Sequence, residues 1–138
     1  MSCVFCEIAA GRAEASVVHA DDQLLAFLDI SPVTPGHTVV VPRRHATDLA
    51  ELDPDTGGAL FRTGQRIALA LRRSGLRCEG VNLFLADGVA AGQEVFHVHL
   101  HVLPRFAGDG FRVTSDGQAP KRSALDRTAA AITAALTH

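Results

Sequence analysis

The chain has 138 residues, enough for one hydrophobic core and too few for a second independent one. Apolar residues make up 47% and charged residues 20%, an ordinary globular balance, and a formal net charge of −2 lacks the basic footprint of a nucleic-acid binder. No apolar run approaches the ~18 residues that span a membrane, and Met1-Ser2-Cys3 opens without the basic region and apolar core of a signal peptide, so a cytoplasmic location is expected. In chain order, Val4 to Ala10 reads as a short helix stopped by Gly11. Val17-Val18-His19 and Leu24 to Leu28 read as strands joined by the polar turn Ala20-Asp21-Asp22, a hairpin. Ser31 to Gly36 is a loop on its turn chemistry, and His37 to Val41 is a strand ended by Pro42. Asp53-Pro54 offers an N-cap with proline at the first helical position, opening a long helix to Arg73 with Ser74-Gly75 as its stop. Its apolar positions Leu60, Phe61, Ile67, Ala68 and Leu71 follow helical spacing, with the arginines on the wet side. Val81 to Leu85 is a further strand, Ala86 to Glu94 a glycine-bearing loop, and His97 to Leu103 the last strand. Phe106 to Pro120 is polar and irregular, and Ser123 is placed to cap an alanine-rich helix to Leu136. About five strands and two substantial helices, joined by short turns, predict an α+β domain with a mostly antiparallel sheet.

The segment His97-Val98-His99-Leu100-His101-Val102-Leu103 carries the chemistry. Alternation at period two puts the three imidazoles on one face of a strand and Val98, Leu100 and Val102 on the other. Same-face neighbours stand roughly 6.6 Å apart, which separates His97 from His101 by about 13 Å. A single ion with ligand bonds of about 2 Å does not collect all three, so the row divides its work between a metal at one end and a substrate at the other. Cys3 and Cys6 form a CxxC that serves either as a redox pair or as half of a tetrahedral zinc site. A thioredoxin-type motif belongs inside a βαβ unit, which this chain lacks. His45 and His97 are the candidates to complete a zinc site. Cys78 reads as a structural or surface thiol, since three cysteines do not build a disulfide framework. His99 and His101 are left to face a ligand, and imidazoles can be nucleophile and proton donor at the same pH. The loop with Gly88, Gly92 and Gln93 offers backbone N–H groups and a side-chain amide suited to phosphate oxygens.

Gly92-Gln93-Glu94-Val95-Phe96 followed by the histidine row and Pro104-Arg105 resembles the signature of the histidine triad nucleotide hydrolases and transferases, in the zinc-containing bacterial branch. The likeness extends to Cys3 through Ile8, Ala26 through Pro32, Pro35 through Pro42, and Gly108 through Phe111. The resemblance implies a histidine triad fold over residues 1–138, with one long and one C-terminal helix. It implies that His99 attacks the α-phosphorus of a nucleotide and carries a nucleotidyl intermediate, with His101 and His37 beside the phosphate. Gln93 would bond the leaving-group region, and Asp29 would accept hydrogen bonds from ribose hydroxyls. Val4, Phe5, Ile8, Phe27 and Ile30 would wall the base, with Glu94 and Val95 beside the nucleotide. Cys3, Cys6, His45 and His97 would hold a structural zinc, and the protein would be a homodimer acting on purine nucleotides, without nucleic-acid or membrane partners.

Two positions depart from the family pattern. Ala86-Asp87 stands where most bacterial members carry asparagines, and Ala86 has no polar group for ribose or phosphate. Glu94 stands where animal phosphoramidases carry a serine. The reading that follows is a hydrolase or transferase of nucleoside 5′-phosphoramidates or related nucleotides. Its rivals are a dinucleoside polyphosphate hydrolase, which Asp87-Gly88 and Pro104-Arg105 recommend, a three-histidine metalloenzyme, which the 13 Å span opposes, and a non-catalytic nucleotide-binding or interaction module.

Overall fold

The computed structural model describes residues 3–136. The elements are α1 (Val4–Ala9), β1 (Val17–Ala20), β2 (Leu24–Leu28), β3 (Thr38–Pro42), α2 (Pro54–Arg73), β4 (Gly80–Phe84), β5 (Leu100–Arg105) and α3 (Arg122–Leu136), with a single 3-10 turn at Val89–Ala91. The strands form one sheet in the order β1-β2-β3-β5-β4, and every neighbouring pair is antiparallel. The α+β fold expected from the sequence is therefore the observed one.

The sheet is covered on both faces, which is why β2 and β3 read as continuous apolar runs rather than alternating ones. On one face Leu24, Ala26, Val40, Val98, Leu100 and Val102 pack with Leu60, Ile67 and Leu71 of α2. On the other, Leu25, Phe27, Val39 and Val41 receive Phe5 and Ile8 of α1. The long helix begins as expected, with the Asp53 carboxylate accepting from the amides of Asp55 and Thr56 and Pro54 in its first turn. Gly64 lets α2 approach β5: a Cβ there would come within 2.8 Å of Leu100 Cδ2. One expected core position fails. Phe61 is 59% exposed, because the buried stripe runs through Leu60, Thr63, Gly64, Ile67 and Leu71 and leaves Phe61 on the outer side.

The histidine strand is shorter than its alternation predicts. Pairing with β3 runs Thr38–Val102, Val39–His101 and Val40–Leu100, and two steps further would set Val98 opposite Pro42. Proline has no N–H to extend the ladder, so pairing stops. The Val98 amide instead donates to the Ala46 carbonyl at 2.8 Å, and His97, Val98 and His99 lie just ahead of β5. The burial split nevertheless survives, with Val98, Leu100 and Val102 in the α2-facing core. At the far end of β5, Arg105 grips Asp109 through Nε and Nη2 at 2.6 and 3.0 Å and donates to Asn82 Oδ1 and the Phe111 carbonyl, both at 2.6 Å. This clasp fixes the turn at Gly108–Phe111, and Arg105 holds the Asp109 carboxyl well below the usual carboxylate range. The final helix starts at Arg122, so Ser123 lies inside it rather than capping it, and no residue of α3 is buried.

The close approach at Gly64 is a direct test of the packing that seats β5. Gly64→Val is expected to destabilise the fold by about 1–3 kcal/mol through overpacking against Leu100. Thermal unfolding followed by circular dichroism checks this, and an unchanged melting temperature would contradict the tight α2–β5 contact.

Candidate active site and metal-binding cluster

Backbone groups orient three imidazoles directly, and one of these orients a fourth. His97 is fully buried, and its Nε2–H donates to the Pro42 carbonyl at 2.7 Å, a carbonyl at the point where the ladder has ended. Its Nδ1 lone pair is thereby aimed away from the sheet. There it meets Cys3 Sγ at 3.4 Å, Cys6 Sγ at 3.5 Å and His45 Nδ1 at 3.2 Å, while Cys6 Sγ and His45 Nδ1 stand 3.4 Å apart. Tetrahedral zinc, with bonds of about 2.3 Å to sulfur and 2.0–2.1 Å to nitrogen, sets S···N at about 3.6 Å and N···N at about 3.3 Å. Cys3, Cys6, His45 and His97 thus have both the donor set and the spacing of a closed structural zinc site. The half-buried thiol of Cys6 is pushed up by desolvation and by its neighbour Cys3, a tendency that a bound cation would reverse.

His99 is turned the other way. Its Nδ1–H donates to the His97 carbonyl at 2.8 Å, so in the neutral ring the unprotonated nitrogen is Nε2. A third pair completes the set. The Val33 amide donates to His37 Nδ1 at 3.1 Å, which leaves the proton of neutral His37 on Nε2. That Nε2–H donates to His101 Nδ1 at 2.8 Å, which in turn leaves the His101 proton on Nε2. Burial pushes the pKa of His101 down to about 4, helped by His99 and His37, and desolvation also lowers His37 against the opposing pull of Asp29. Both rings are neutral at pH 7. Asp29 Oδ2 lies 3.6 Å from His37 Nε2. Asp29, His37 and His101 also lie close enough to suggest a metal, but the hydrogen bond between the two imidazoles already occupies the nitrogens involved.

A pocket of about 400 Å³ opens over this face of the sheet. Val4, Phe5, Ile8, Phe27 and Val95 are among its apolar lining; Asp29, Glu94, His99 and His101 supply polar groups. Phe5 stands edge-on to Phe27, His97 and His99, with ring centroids 5.4, 5.9 and 5.1 Å away. His99 and His101 are themselves in edge contact at 4.8 Å. Ile30 also lines the pocket but is 96% exposed, so it forms a lip rather than a wall. His37 is buried behind His101 and does not line the pocket. A larger cleft of about 670 Å³ runs along Pro42–Ala46 and Glu51–Asp53; it contains none of the histidine row and meets the metal cluster only through His45.

One residue expected beside the ligand is not among those lining the pocket. Gln93 is buried, its Nε2 donating to the Thr47 and Val95 carbonyls at 2.8 and 3.2 Å while its Oε1 accepts from the Gly88 amide at 2.8 Å. Both ends of the amide are thus bonded to the backbone, and Gln93 shapes the loop. Ala86 is buried and apolar, in keeping with the departure noted in the sequence. Sequence reasoning missed the Val33 amide and the Pro42 carbonyl, which assign protons to the imidazoles, and no side-chain pattern signals such backbone groups. It also missed Ala13, Glu14 and Ala15 on the pocket wall, brought there by the turn after α1.

Comparison with known proteins agrees with this geometry. The family profile described as "HIT domain" matches residues 10–108. An uncharacterized HIT-like protein of Mycobacterium tuberculosis (strain H37Rv) is 48% identical over 113 residues, covering 82% of this chain and 78% of its own. Among solved structures, a HIT family protein from Bacillus anthracis superposes with a TM-score of 0.89 at 37% identity, covering 96% of each chain. A zinc-bound histidine triad family protein from Mycobacterium smegmatis is 45% identical, covers 99% of this chain and 96% of its own, and gives a TM-score of 0.77. With its fold, its histidine row and these relatives in agreement, the chain belongs to the HIT domain family.

Proposed function

We propose that this protein hydrolyses or transfers the nucleotidyl group of a nucleoside 5′-phosphoramidate, or of a related nucleotide with a substituted α-phosphate, through a covalent intermediate on His99. One observation carries the reading: the hydrogen bond from His99 Nδ1–H to the His97 carbonyl, which leaves Nε2 as a free lone pair beside the pocket. Attack by Nε2 forms the N–P bond as the bond from phosphorus to the leaving group breaks, and the departing amine takes its proton from water in the open pocket. The positive charge on the substituted imidazole is shared with the His97 carbonyl through Nδ1–H. Water then attacks phosphorus, the N–P bond breaks with its electron pair returning to Nε2, and the proton that water releases neutralises the hydroxide left by the first step.

His101 supports both displacements in this reading. Its Nε2–H is the donor left after His37 has claimed Nδ1, and it is suited to a phosphoryl oxygen on which charge develops. His37 is a positioning residue, keeping that proton in place. The apolar slot between Phe5, Ile8 and Phe27 suits a purine base, and Asp29 suits the ribose: Oδ1 accepts the Ser31 amide, while Oδ2 keeps lone pairs for hydroxyl donors. Cys3, Cys6, His45 and His97 hold a structural zinc in this reading, supported by their spacing and by the zinc-bound relative. Four protein donors would fill a tetrahedral ion, so the metal would serve structure and leave the phosphoryl chemistry to the other residues. The expected place of action is the cytoplasm.

A homodimer fits the same picture. β1 and β4 are the two sheet edges, with Val17 and Val18 exposed on one and Phe84 on the other, and the helix α3 buries none of its residues within a single chain. Edge-to-edge pairing of two copies would give a continuous ten-stranded sheet. Light scattering at micromolar concentration is expected to return the mass of a dimer, and a monomer mass would remove this part of the reading.

A panel of a phosphoramidate, a dinucleotide and a nucleotide sugar, run with purified protein, tests the reaction. The phosphoramidate is expected to turn over fastest, and a rapid acid-free quench should leave one nucleoside monophosphate on His99 by mass spectrometry. His99→Gly should lose turnover and labelling while still binding nucleotide; substantial residual turnover would replace the covalent route by direct attack of water. His101→Asn should slow turnover about 10²–10³-fold, the effect of losing one oxyanion donor.

The depressed pKa of His101 also predicts a pH dependence of stability. The native ring stays neutral down to about 4, whereas the unfolded ring protonates near 6.5, so between these values the unfolded chain binds more protons. This contribution to stability is complete above about pH 6.5 and is lost as pH falls towards about 4. Wild type should therefore lose melting temperature faster on acidification than His101→Asn over that interval, the zinc ligands being common to both. Parallel curves would show that His101 titrates normally.

A further inference from the structure

We infer that the metal cluster and the nucleotide pocket are thermodynamically coupled through α1, so that metal binding tightens nucleotide binding and nucleotide binding tightens the metal. The inference rests on the nucleotide-and-zinc reading above and adds to it a coupling that neither site has alone.

The coupling follows from how little else holds α1. The helix is six residues long, far below the ~12–15 at which an isolated helix becomes even marginal in water. None of its residues is fully buried, and its N-cap, Cys3, makes no side-chain capping bond. Cys3 and Cys6 stand three residues apart and turn to His45 and His97. Phe5 and Ile8, also three apart, face the pocket and pack on Leu25, Phe27, Val39 and Val41. One turn of helix therefore carries half of the metal donors and most of the apolar slot. Its remaining polar anchor to the sheet is at the other end, where Arg43 Nη1 donates to the Ala9 carbonyl at 3.0 Å. With no metal bonds, the N-terminal half of α1 rests on thiol–imidazole contacts of 3.4–3.5 Å and on the edges of Phe5. Binding a metal orders α1 and builds the slot; filling the slot orders α1 and assembles the donors. Each ligand bears the ordering cost that the other would otherwise meet.

The hydrogen bonds that orient His99 do not run through α1, which meets its ring only by the edge of Phe5. His99 is held by the His97 carbonyl, and the His97 ring is held by the Pro42 carbonyl, both independent of α1. Loss of the metal should thus raise KM and the Kd for nucleotide much more than it lowers kcat at saturation.

Reciprocity supplies the test, since a coupling factor in one direction must appear in the other. The probes are zinc and AMP. AMP affinity is measured by calorimetry on zinc-loaded and zinc-free protein, and zinc affinity by competition with a chromophoric chelator with and without saturating AMP. Zinc removal is expected to weaken AMP about 10-fold, and AMP to tighten zinc by the same factor, within the usual range for linked sites. Hydrogen exchange on the zinc-free protein should show faster exchange in α1 with β5 still protected, which separates local loosening from global unfolding. Phe5→Ala keeps all four metal donors and should bring the coupling factor close to one. Equal zinc affinity with and without AMP, for a protein that binds both, would overturn the coupling while leaving the nucleotide reading intact. Failure of the zinc-loaded protein to bind AMP at all would overturn the nucleotide reading, and the coupling with it.

Discussion

The missing N–H of Pro42 is the constraint around which the site is built. Antiparallel pairing between β3 and β5 holds from Thr38–Val102 to Val40–Leu100 and then has no donor with which to continue. The chain ahead of β5 is released from the ladder at the point where the first two histidines occur. The Pro42 carbonyl, freed from strand pairing, takes the His97 Nε2–H; the His97 carbonyl, ahead of β5 and beyond the end of β4, takes the His99 Nδ1–H. A fully paired strand would have spent that second carbonyl on its neighbour and left the His99 tautomer undetermined. The end of a β-ladder thus becomes the device that points one imidazole at a metal cluster and the next at a pocket.

Proton placement across the site is set by main-chain groups, whose positions are among the least adjustable in a protein. Two carbonyls and the Val33 amide assign the protons on His97, His99 and His37, and His37 passes the assignment to His101. Burial keeps His37 and His101 neutral, which is a condition for the chain of donors to work. A protonated His37 would still have a donor at Nε2, but its Nδ1–H would confront the Val33 N–H. Desolvation and hydrogen bonding therefore agree on a single protonation state.

The two faces of the sheet separate support from chemistry. Val98, Leu100 and Val102 lock the histidine segment onto α2, while the alternate residues carry every imidazole of the row. Rigid seating of His99 is thus supplied from the face opposite the pocket, where packing can be optimised without touching a ligand. The pocket face is covered more lightly, by a single turn of helix and the edges of Phe5. That division accounts for the placement of Gln93, whose polar ends are consumed in tying the glycine loop to the Thr47 segment.

Much of this was legible in the sequence because it rests on local rules. Period-two alternation separated Val98, Leu100 and Val102 from the histidines; Asp53-Pro54 marked the start of α2; Gly11, with φ of +77°, marked the end of α1. The CxxC spacing and the histidine pattern singled out the four residues that converge in the metal cluster, since donor type and spacing survive any packing. What only the tertiary structure decided was which backbone groups remain unpaired and what lies within reach of them. The side on which Phe61 falls, the point where β5 begins, the burial of Gln93 and the retreat of His37 behind His101 all depend on partners distant in sequence. Side-chain patterns record which face a residue prefers; the proton on an imidazole is assigned by a carbonyl or amide that any residue supplies, and so leaves no mark in the sequence.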